Sequence, residues 1–151
     1  MRIWRLCSQR HTTPDGEGAR LYGGRWNSAG TAVVYTSATL SLAVLEYLAN
    51  LDSDILPDDL VALSGDVPKE LGIRAIRIRE LPVNWREYPA PDGLKAVGTA
   101  WASAGESVIL SVPSAIIPEE RNFLVNPAHP DFGRIHWNAP TPFRLDTRLR
   151  R

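Results

Sequence analysis

Gly23-Gly24-Arg25-Trp26-Asn27 carries the residue types best suited to chemistry in this chain, and Tyr35 and Glu46 follow it. Two glycines let the backbone pass close to a ligand without steric cost. Arg25 offers a planar, permanently charged fork that matches the oxygens of a phosphate or carboxylate. An indole and a side-chain amide come straight after it. Together the arginine, the aromatic and the acid make a candidate site for an anionic ligand with a sugar near the reacting centre. The competing reading of Arg25 is a surface arginine following a tight turn. Glu46 lies in an apolar stretch, and no other charged residue occurs between Val33 and Asn50. A buried acid costs several kcal/mol unless it is paired. Glu46 is therefore read as a functional carboxylate, against the commoner solvent-facing glutamate of an amphipathic helix.

Other constellations are weaker. Gly16-Glu17-Gly18-Ala19-Arg20-Leu21 lacks the third glycine of a dinucleotide fingerprint and precedes a strand instead of joining strand to helix. A loop is expected there, with Arg20 as an auxiliary phosphate ligand or a solvated side chain. Trp26 and Tyr35 are ligand-stacking candidates or core aromatics. Ser114 closes a strand where a hydroxyl can reach a ligand, and Asn122 serves either the site or a local turn. Gly-x-Ser-x-Gly and Ser-x-x-Lys arrangements are absent, which disfavours the serine-nucleophile families that use them. His11, His129 and His136 show no metal-ligand spacing with Cys7 or the acids, so no metal is expected.

The elements that must position these residues follow from pattern. Strands are expected at Ile3–Ser8, Ala32–Ser37, Leu60–Asp66 and Ser107–Val112, the last stopped by Pro113. Thr39 can cap a helix running to Leu51, with Leu42, Leu45 and Leu48 on its apolar stripe. Asp92–Ala104 fits a second helix that Gly98 weakens. Gln9–Gly24 and Leu81–Pro91 read as loops, the latter with a helical turn and two buried-type aromatics, Trp85 and Tyr88. Pro118–Arg121 reads as a first helical turn, and Ile135–Trp137 and Phe143–Leu145 as closing strands. The expectation is an α+β fold, one compact domain spanning residues 1–151 with a mixed β core.

Composition bounds the function. Lys+Arg and Asp+Glu both number 17, so the formal charge of zero gives no general attraction to nucleic acid, and direct DNA binding by this chain is not expected. Cys7 is the sole cysteine, which excludes an internal disulfide and suits a reducing compartment. No stretch approaches the roughly 20 apolar residues of a spanning helix, and Met1–Leu6 does not resemble a signal peptide. A cytoplasmic protein without membrane contact is expected.

In the order and spacing of these motifs the chain resembles the RES-domain family, the toxin half of bacterial RES–Xre toxin–antitoxin pairs. The arginine, glutamate and serine of the family name correspond to Arg25, to Glu46 in Leu42-Ala43-Val44-Leu45-Glu46, and to Ser114 in Ser111-Val112-Pro113-Ser114-Ala115. Tyr35 matches the family's aromatic. Pro118–Pro130 and Phe143–Leu149 resemble its later signatures, while 67–105 carries little of the likeness. The resemblance implies a fold similar to ADP-ribosyltransferase toxins, and NAD as substrate with no metal. The nicotinamide–ribose bond would be cleaved and the ADP-ribosyl group delivered to water, phosphate or a protein. In that scheme Arg25, Tyr35 and Glu46 form the catalytic set, with Ser114, Asn122, Trp26 and Arg20 as substrate contacts. The implied partner is an Xre-type antitoxin; a homodimer or a larger toxin–antitoxin assembly is left open. The alternative from another class is a non-catalytic module acting through assembly with its partner.

Overall fold

The computed structural model describes residues 1–149. Three strands run through the middle of its sheet. Strand β1 (Arg2–Ser8) takes the β-branched and aromatic N-terminal run, and β2 (Val34–Ser37) the Val-Tyr-Thr-Ser segment. Strand β3 (Leu60–Asp66) pairs antiparallel with β1 along its whole length, from Arg2↔Asp66 to Ser8↔Leu60. By contrast β1 meets β2 at one residue pair, Trp4↔Ser37. Beyond β2 lie β4 (Ile73–Ala75), β5 (Ile109–Pro113) and β6 (Arg121–Val125), with β6 beside β2. The short β7 (His136–Trp137) and β8 (Thr141–Pro142) both lean on β3. The order is β4-β5-β6-β2-β1-β3-β7, and among the described residues only β4–β5 is parallel. The sheet is thus mixed, and it narrows to a one-pair seam between β2 and β1.

Alternating side chains on β2, β5 and β6 feed two separate cores, because successive residues of a strand point to opposite faces. Val34, Ile109, Phe123 and Val125 join Ile3, Val67, Leu71, Val108 and Ile135 on one side. Leu110, Val112 and Leu124 face the other, against Trp26, Trp85 and two residues of helix α3 (Asp92–Ala104), Leu94 and Trp101. Helix α2 (Leu40–Ala49) lies across β1 and β2, where Val44 meets Leu6, Leu60 and Leu145. Thr39 caps it, its side chain accepting the Leu42 N–H at 3.1 Å.

Several expectations are corrected. The segment read as a loop before Gly24 contains helix α1 (Glu17–Tyr22), entered through Gly16 at φ 69°. A Cβ there would sit 2.7 Å from the Val33 nitrogen, so close approach fixes that glycine. Pro118–Arg121 does not start a helix; Arg121 opens β6, whose Phe-Leu-Val run suits a buried strand better. Pro113 is the last residue of β5, not the stop before it, and the edge strand β4 has no clear sequence pattern. The closing strand is Thr141–Pro142, while Leu145 is a buried core residue outside any strand. Tyr88 is 83% exposed, unlike buried Trp85, and Leu45 leaves the apolar stripe for the surface. Gly98 weakens α3 for a reason: its Cβ would lie 1.8 Å from the Trp26 carbonyl oxygen, so backbone presses on backbone. Among the described residues no helix is long and apolar enough to cross a membrane.

Candidate active site

The glycine–arginine turn is built around Asn27. Gly23, at φ 74°, ends α1 and donates its N–H to the Ala19 carbonyl at 2.8 Å. The buried Asn27 side chain donates from Nδ2 to the carbonyls of Ala19, Ser28 and Thr31. Its Oδ1 accepts the Tyr35 hydroxyl at 2.6 Å, and that hydroxyl in turn accepts the Trp26 N–H at 3.0 Å. Burial pushes the Tyr35 phenol well above its ordinary pKa, so it stays a neutral donor. The sequence placed Tyr35 against a ligand; its hydroxyl is also the post that holds this turn.

Arg25 projects from the turn toward the 82–91 segment. Nη1 donates to the carbonyls of Trp85 (2.9 Å) and Glu87 (3.1 Å). Among the described residues the Nε and Nη2 donors have no protein partner, which leaves one edge of the fork for an anion. Partial burial pulls the guanidinium below its ordinary pKa, and the charge of Glu46 is the largest opposing influence. The cation and the carboxylate therefore act on each other without forming a direct ion pair.

Glu46 is held from one side only. Its Oε1 accepts the Ser114 hydroxyl at 2.8 Å and the Asn122 amide N–H at 2.6 Å. Ser114, fully buried just beyond β5, accepts the Ile116 and Ile117 N–H groups at 3.1 Å each, so its own proton is directed to Glu46. Asn122 sits in β6 opposite Ser37 of β2, whose hydroxyl donates to Asn122 Oδ1 at 2.7 Å. Among the described residues the second carboxylate oxygen, Oε2, accepts no protein hydrogen bond.

Glu46, Ser114, Asn122 and Ser37 form one hydrogen-bonded cluster beside the β2–β1 seam, and the charge of Glu46 links it to Arg25, whose turn Tyr35 and Asn27 hold. Trp26 enters it through its backbone; its indole is 2% exposed and belongs to the core under α3. Arg20 lies on the exposed α1, paired with Glu17 through Nε and Nη2. Two participants carried no role from sequence, Asn27 and Ser37. Asn27 stood inside the motif itself, whereas Ser37 is found only through the β2–β6 register. No group of three or more His, Cys, Asp or Glu able to hold a metal occurs among the described residues.

The architecture matches that seen in the crystal structure of the M. tuberculosis MbcT–MbcA toxin–antitoxin complex, with a TM-score of 0.76 over 94% of this chain and 83% of that one. At 18% identity this likeness defines the fold class. The family follows from sequence: the RES domain model matches residues 2–146, and the chain belongs to the RES-domain family. It is 36% identical over 153 residues to a Prs ADP-ribosylating toxin of Sphingobium sp. (strain YBL2), covering 97% of this chain and 95% of the relative. It is 37% identical over 152 residues to Toxin Res of Photorhabdus laumondii, covering 99% and 97%. Toxin Res of Yersinia enterocolitica is 33% identical over 153 residues, covering 99% and 100%.

Proposed function

We propose that this chain is a cytoplasmic toxin that consumes NAD by cleaving its nicotinamide–ribose bond. The observation that carries this reading is Glu46, anchored through one oxygen by Ser114 and Asn122 and free at the other among the described residues, with its charge acting on the half-buried Arg25. Cleavage breaks the C1′–N bond, and its electron pair leaves with neutral nicotinamide. Positive charge develops on the ribose, where a fixed carboxylate stabilises it. Water, phosphate or a protein side chain then forms a new bond to C1′ and gives up its proton.

Arg25 clamps the pyrophosphate with the unpartnered edge of its fork. Tyr35 flanks the nicotinamide, and Glu46 faces the nicotinamide ribose through Oε2. Ser114 and Asn122 hold that carboxylate in place, which matters because misplacement by an ångström forfeits much of an orientation advantage. The Sphingobium relative is named for ADP-ribosylating Prs, so Prs joins water and phosphate as an acceptor to test. The likeness to a toxin from a toxin–antitoxin complex supports an antitoxin partner; in this proposal the partner is of Xre type and covers the site.

Purified protein incubated with labelled NAD in buffer, with phosphate, or with Prs should release nicotinamide, and mass spectrometry should identify one ADP-ribosyl product. Arg25→Ala should raise KM for NAD by about tenfold or more, since charge-assisted hydrogen bonds contribute roughly 1.5–3 kcal/mol each. No nicotinamide under any of the three conditions, together with growth arrest at unchanged cellular NAD, would replace this reading by action through protein assembly.

A further inference from the structure

Two donors converge on Glu46 Oε1, and they are oriented by different means. The Ser114 hydroxyl is locked by two backbone N–H groups. The Asn122 amide has no such guide. Its two ends are nearly the same shape, and turned over it would set Oδ1 against the carboxylate, acceptor against acceptor. The carboxylate, which only accepts, selects the NH₂ end, and Ser37 fastens the opposite end of the amide. The hydroxyl of Ser37, 3% exposed, donates to Asn122 Oδ1 at 2.7 Å, so the amide is tied at both ends and its position under Glu46 is fixed. Direct pairing of Ser37 with Asn122 across β2 and β6 sets both side chains on one face of the sheet. The single β1–β2 pair, Trp4↔Ser37, fixes the backbone of Ser37 at the seam.

We propose that Ser37 is a positioning residue of the active site, acting on Glu46 through Asn122. The proposal deepens the reading of Glu46 as the catalytic carboxylate and rests on it. The relay runs Ser37 Oγ–H to Asn122 Oδ1, then Asn122 Nδ2–H to Glu46 Oε1, which leaves Oε2 aimed at the ribose. Removing the hydroxyl frees the amide to rotate, and Glu46 loses a donor when charge develops on the substrate.

The test combines turnover with a readout that needs none. Ser37→Ala should lower kcat for nicotinamide release about tenfold with KM within about twofold, as expected when an interaction realised in the transition state is lost. In an Asn122→Ala background the same substitution should cost less than about twofold, because both remove one relay. A purely structural role would instead multiply the two losses and lower the thermal midpoint of Ser37→Ala in parallel. Independently, the Asn122 side-chain amide protons, followed by ¹⁵N NMR, should exchange slowly in the wild type and much faster in Ser37→Ala. Unchanged amide exchange, or losses that multiply in the double variant, would overturn the proposal. A wild-type protein that releases no nicotinamide removes the catalytic reading, and the amide exchange alone then decides whether Ser37 orients Asn122.

Discussion

Tyr35 and Gly24 show how little freedom the arginine turn has. A Cβ on Gly24 would lie 2.7 Å from the Tyr35 hydroxyl oxygen and 3.0 Å from Asn27 Oδ1, inside the hydrogen bond that organises the turn. Gly24 lacks the left-handed backbone of Gly23, so the constraint on it is space alone. Gly24→Ala should therefore destabilise the protein by about 1–3 kcal/mol, the usual cost of overpacking. A urea unfolding midpoint equal to the wild type's would show that the hydroxyl yields without cost. The candidate residues stood out at this scale because their types were unusual in their surroundings. Glu46 stood alone in an apolar helix, and Arg25 followed two glycines. Trp26 was left between a ligand contact and a core aromatic, because an indole beside a site and an indole beneath it read alike in sequence; in the fold its indole packs in the core with α3.

Elements with strong periodicity were visible in advance. Strand β3 and helix α3 fall where the pattern put them, and Thr39 caps α2 as expected. The failures share a cause. Helix α1 and strand β4 are short, and their places are set by what they touch, Val33 for Gly16 and β5 for Ile73–Ala75. Register is equally invisible in one dimension, which hid Ser37. The paired ends of β1 and β3 carry a consequence for acid stability. Asp66 bonds first to Arg2 and then to Asn138, and these hold its carboxyl at about 2, below the ordinary value. A depressed carboxyl stabilises the fold above its unfolded pKa, about 3.9, and that contribution disappears as pH falls through the folded value. Both side chains are substantially exposed, so the effect is small. The difference in urea midpoint between the wild type and Arg2→Ala should be largest at about pH 7 and shrink toward about pH 2. A difference independent of pH would assign the effect of Arg2 to its contact over the Trp4 ring instead.

On the scale of the whole molecule, the seam between β2 and β1 explains why the site lies where it does. The β4-β5-β6-β2 half supplies Ser114, Asn122 and Ser37, and the turn carrying Arg25 packs on its core. Helix α2 is anchored mainly on the other half by Val44, Leu48 and Tyr47, yet it reaches across to deliver Glu46. A carboxylate on one body and its donors on the other meet where the sheet is held by a single residue pair. The central claim is that this carboxylate acts through its charge on the ribose of NAD. Nicotinamide release by Glu46→Gln, which keeps the shape and removes the charge, tests that most directly. The expected result is a kcat at least about 100-fold below the wild type's at similar thermal stability. Equal rates in the two proteins would contradict it.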